Sequence, residues 1–64
     1  MPIITLEGPP VEDLDKKRQL IKEVTQAAVK FYDMPTKDII IFLKPLSPDR
    51  VGIGGKLIID MEQH

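Results

Sequence analysis

The sequence contains no cysteine. That excludes disulfides, thiolate metal ligands and a cysteine nucleophile. Its single histidine, His64, is the last residue, so a multi-histidine metal centre and a buried Ser-His-Asp triad are excluded too. No apolar run approaches the roughly 18 residues of a membrane helix. The amino terminus lacks a basic stretch followed by a long apolar one, so no secretory leader is expected and the chain reads as cytoplasmic. Neither sign of charge is in excess. Nine basic and ten acidic residues leave a net charge of −1, whereas a nucleic-acid binder carries a strongly basic face. Neither nucleic acid nor a membrane is therefore expected as a partner.

What is present describes one small folded domain spanning residues 1–64. A core of this size rarely supplies more than ~3–5 kcal/mol. With disulfides impossible and a metal site unsupported, association with other chains is the expected remedy.

Pro2-Ile3-Ile4-Thr5-Leu6 is short, apolar and β-branched, and reads as a strand headed by proline. Glu7-Gly8-Pro9-Pro10 carries breaker residues, which predicts a loop over 7–12. Leu20, Ile21, Val24, Ala27, Ala28 and Phe31 then recur at helical spacing. They predict a helix over about 14–33, with Asp13 or Asp15 as its N-cap and Pro35 as its stop. On this stripe Phe31 is expected in the core, and Tyr32 at the surface or an interface. Ile39-Ile40-Ile41-Phe42-Leu43 is a strand apolar on both faces. A loop over 46–50, a glycine-dense turn over 51–55 and a short strand Leu57-Ile58-Ile59 complete the chain.

Strand, long helix, strand predicts a right-handed βαβ unit with parallel strands and a hairpin-like tail, an α/β (α+β) class. One helix covers only one face of such a sheet. Either Ile40 and Phe42, or Ile39, Ile41 and Leu43, would then face water. Another copy of the chain is the simplest cover.

Most chemistry-bearing patterns have plain explanations. Gly52-Ile53-Gly54-Gly55-Lys56 lacks the spacing of a phosphate loop and reads as a turn. Lys16-Lys17-Arg18 reads as a solvated helix face. Asp13 with Asp15 reads as helix capping, and Asp60 with Glu62 as a solvated tail. Pro2 stands apart. Removal of Met1 would leave a free secondary amine on a strand. Apolar burial and nearby cations disfavour the charged form of such an amine and suit it to general-base work.

Met-Pro-Ile heading a strand, Leu6-Glu7-Gly8, Gln19 to Val24 within the helix, Pro35 after it and Gly52 to Gly55 together resemble the 4-oxalocrotonate tautomerase family along the whole chain. The resemblance implies a βαβ subunit that dimerises into a four-stranded sheet, three dimers forming a hexamer. It implies Pro2 as general base, shuttling a proton between oxygen and carbon of a small 2-hydroxydienoate or enolisable 2-keto acid. It implies no metal or organic cofactor. The family's substrate-binding arginines and aromatic wall are replaced here. Pro9 or Glu12 stands at the first arginine position, Ile40 at the second and Val51 at the aromatic one. Arg50 and Lys44 are the nearest candidate cations, with Ile40 and Val51 as apolar walls. Two other readings stand beside this one. The first is a hydratase or hydrolytic dehalogenase that activates water with Glu7 or Glu12. The second is a non-enzymatic assembly module on the same fold.

Overall fold

The computed structural model describes residues 1–61. The readings placed on Glu62 and His64 lie outside the described residues. Strand β1 (Ile3–Gly8) leads through a loop to helix α1 (Leu14–Tyr32), and a 3-10 turn (Thr36–Asp38) leads to strand β2 (Ile40–Pro45). The tail holds a second 3-10 turn (Pro48–Arg50), the short strands β3 (Gly52–Ile53) and β4 (Lys56–Leu57), and one helical turn, α2 (Ile58–Met61).

β1 and β2 are parallel, with Ile3 beside Ile40, Thr5 beside Phe42 and Glu7 beside Lys44. Both strands run further than their breaker residues suggest. Glu7 and Gly8 stay paired with Lys44 and Pro45, and the Leu46 N–H donates to the Gly8 carbonyl at 2.7 Å. A glycine followed by prolines ends a strand only where pairing ends, and the partner strand carries pairing to Gly8.

Helix α1 starts where a cap is available. The Asp13 carboxylate accepts from the backbone N–H groups of Asp15 at 2.9 Å and Lys16 at 3.2 Å, so two otherwise orphaned donors are satisfied. The helix ends before Pro35 because Asp33 turns left-handed, at φ 55°. Its N–H then closes on the Val29 carbonyl.

The helix seats Ile21, Val24, Thr25, Ala28 and Val29 toward the sheet, and Ala28, at 6% exposure, is the one buried residue among the described residues. Leu20, Ala27 and Phe31 fall on the outer flank. Phe31 is therefore not core: it is 80% exposed and meets Tyr32 edge to face at 4.9 Å. An apolar stripe this wide exceeds what a two-stranded sheet can cover from one side. The sheet's other face is open as well, with Ile3 56% and Phe42 51% exposed.

The tail also departs from expectation. Gly54 and Gly55, at φ 60° and 89°, close a two-residue β3–β4 loop, a geometry that favours glycine at both positions. The strand expected at 57–59 extends only through Leu57, and Ile58 and Ile59 begin α2. Only the two-residue β3 lies alongside, so the backbone beyond Leu57 satisfies itself within a helical turn. The Ile58 N–H docks on the Val51 carbonyl at 2.8 Å.

Candidate functional site

Pro2 sits half-buried at the head of β1. Its carbonyl accepts from the Ile40 N–H at 3.1 Å, one rung before the Ile3–Ile40 pair. The residue is thereby tied to both strands, and Ile40 is the candidate wall residue that the fold brings to it. Ile40 follows Ile39, on the strand that the 3-10 turn Thr36–Asp38 delivers to this end of the sheet.

The other candidates lie elsewhere. Lys44 lies toward the far end of β2, opposite Glu7, and five residues of strand at ~3.3 Å each put it about 16 Å from Pro2. A cleft of about 410 Å³ opens there, where the carboxyl ends of the strands meet the start of α1. Leu6, Leu20, Leu43 and the Pro9–Val11 loop form its apolar walls, and Lys16, Lys17 and Lys44 supply cations. Glu7 and Glu12 border the same cleft. A second groove shares Gly8, Pro9 and Pro10 with it and continues over Leu46 and Val51 to Ile58. Val51 and Lys44 thus stand on either side of one proline ridge.

Arg50 is exposed on the second 3-10 turn and lines neither depression. Beside it the Ser47 hydroxyl donates to the Asp49 carboxylate. That bond holds the Asp49 carboxyl below its ordinary range, helped by the adjacent Arg50 charge.

Lys16 and Lys17 were not singled out by the sequence as more than a solvated helix face. Lys17 is in fact half-buried, and both line the cleft. The available signal was topological. In sheets with parallel strands, ligands collect outside the carboxyl ends of the strands, which is where a returning helix begins. Residues at a helix start inherit that position.

Two parallel strands joined by one helix, with a proline at the second position tied to both, define a class of minimal β-α-β proteins. A family model described as tautomerase enzyme matches residues 2–61, and the chain belongs to that family. It is 27% identical over 62 residues to the 2-hydroxymuconate tautomerase of Bacillus subtilis (strain 168), covering 97% of this chain and 100% of that one. Among solved structures it is similar to YwhB, a homologue of 4-oxalocrotonate tautomerase. There the TM-score is 0.85 at 26% identity, over 95% of this chain and 100% of the other. DmpI from Archaeoglobus fulgidus is 35% identical with a TM-score of 0.78, over 94% of this chain and 100% of the other. The family resemblance and the β-α-β subunit read from the sequence are both borne out.

Proposed function

We propose that this protein is a cofactor-independent tautomerase, with Pro2 as general base once Met1 is removed. Its substrate is a small 2-hydroxydienoate or an enolisable 2-keto acid. The free amine takes the proton from the enol oxygen, the carbonyl forms as the conjugated electrons shift, and the same nitrogen returns the proton to carbon. The observation that carries this reading is the family match, which begins at Pro2 and runs through the chain to residue 61. The anchoring of Pro2 at the first rung supports it, because a base on a rigid strand is held in position for transfer.

The acting species in this reading is a homo-oligomer, a hexamer by resemblance. A 7.2 kDa chain folded compactly exposes roughly 4100 Å². This one exposes 5446 Å². The excess is larger than the ~800 Å² that each partner contributes to a standard interface. It includes Ile3 and Phe42 on the open sheet face and Phe31 on the outer flank of α1. Assembly also answers a geometric problem. Pro2 and the cationic cleft stand too far apart in one chain to share a small acid, so a second copy must bring one of them to the other. The carboxylates of the hydratase reading, Glu7 and Glu12, border that same distant cleft and gain no advantage over it.

The test is ketonisation of an enolised 2-keto acid followed by ultraviolet absorbance, with Pro2 free and with Pro2 blocked by a retained residue. The blocked protein should lose nearly all turnover. Equal turnover in the two forms would overturn the role of Pro2.

A further inference from the structure

The cleft at the carboxyl ends of the strands combines features that a solvated helix start does not need. Lys16 and Lys17 occupy the first turn of α1, where the helix dipole disfavours cations. Among the described residues no carboxylate lies within ion-pairing distance of Lys16, Lys17 or Lys44, since the only ion pair joins Arg18 to Asp15. Lys17 is nevertheless half-buried. A lysine stem laid along apolar side chains keeps its ammonium at the edge of the apolar surface, here the mouth of a cleft walled by Leu6, Leu20 and Leu43. Lys44 reaches the same mouth from the end of β2, beside Glu7 in the neighbouring strand. Three of the backbone donors at the helix start are already used. Asp15 and Lys16 donate to the Asp13 side chain, and Lys17 donates to the Asp13 carbonyl. The charge that meets an anion arriving here is that of the ammonium groups.

From this geometry we infer that Lys17 and Lys44 form the carboxylate-binding end of a site for small monocarboxylic acids with an apolar tail. The tail lies against Leu6, Leu20 and Leu43. The volume of about 410 Å³ is within the ~300–1,000 Å³ typical of small-molecule sites. The apolar walls set the selectivity. A second carboxylate would have to lose its water against Leu6, Leu20 and Leu43, so a diacid of equal length is disfavoured. The inference deepens the tautomerase reading by naming the cations that take the place of the family's arginines. It rests on that reading for the substrate's identity, and the binding itself stands apart from it.

The experiment keeps the two separable. Hexanoate is titrated into the full chain with Met1 retained, so that binding is read without turnover, and the methyl resonances of Leu6, Leu20 and Leu43 are followed by NMR. These methyls should shift. Lys17→Gln and Lys44→Gln should each weaken the Kd about fivefold, as expected for losing one partly exposed charge contact, and Lys17→Arg should restore it. Adipate should bind more weakly than hexanoate, and added salt should weaken hexanoate binding. Absent methyl shifts, or an equal Kd in the Lys17→Gln/Lys44→Gln double variant, would overturn the inference. So would a double variant whose oligomer mass changes while its hexanoate shifts persist, because the lysines would then serve assembly. Hexanoate binding that passes these tests in a protein without tautomerase turnover would uphold the site and sink the catalytic reading alone.

Discussion

The Ile40 N–H donates to the Pro2 carbonyl at 3.1 Å, so the second residue of the chain is fixed to the first residue of the second strand. A chain terminus is ordinarily the most mobile part of a small domain. Here it is held by the same ladder that pairs Ile3 with Ile40.

Replacing Pro2 tests the base directly. Pro2→Ala puts a primary, less constrained amine on the strand, and kcat/KM should fall roughly tenfold or more, toward the 10²–10⁴-fold worth of a positioned base. With Pro2 unaltered and acting as the proposed base, kcat/KM should rise with pH as its amine loses a proton. A flat profile would remove Pro2 from the chemistry.

Assembly is tested on the open sheet face. Phe42→Asp puts a charge where Ile3, Ile40 and Phe42 present an apolar surface. Burying that charge unpaired in an interface costs several kcal/mol. Sedimentation should give a particle several times 7.2 kDa for the parent protein, and a dissociated or unfolded chain for the variant. A folded monomeric parent would end the oligomer reading.

Ile40 is the candidate wall residue beside Pro2. Ile40→Arg projects a planar, bidentate donor from a rigid strand at that end. It should raise kcat/KM for a dicarboxylate dienol about tenfold, which corresponds to ~1.4 kcal/mol. Oligomer mass is measured alongside, because position 40 also borders the open face. An intact assembly with unchanged diacid turnover would show that position 40 does not face the pocket.

The helix ends offer two stability tests. Asp13→Ala removes the acceptor for the Asp15 and Lys16 N–H groups and should cost about 1 kcal/mol. It should also loosen the Pro9–Glu12 wall of the cleft. Asp33 adopts φ 55° at the carboxyl end of α1, with its negative charge near the negative pole of the helix. Asp33→Asn keeps the tolerance for left-handed backbone and removes that charge. Chemical denaturation should show a gain of about 0.3–1 kcal/mol.

The order strand, helix, strand and a glycine-dense turn within residues 51–55 are legible in the residues alone. These follow from local periodicity, an aspartate cap and residues that tolerate positive φ, all of which act over a few neighbouring positions. The sequence also singled out Pro2, because a proline after the first methionine is visible without any fold. Tertiary structure decided which flank of the apolar helix faces inward. Leu20, Ile21, Ala27 and Ala28 look alike in a periodicity, but the sheet is two strands wide and accepts only the Ile21 and Ala28 side, so Phe31 is left outside. It decided that Glu7 and Gly8 stay in the sheet, because pairing with Lys44 and Pro45 outweighs a local breaker signal. It also turned Lys17 from a surface charge into part of a cleft. Residues 17 and 44 are far apart along the chain, and only the return of a helix antiparallel to its strands brings them to one end.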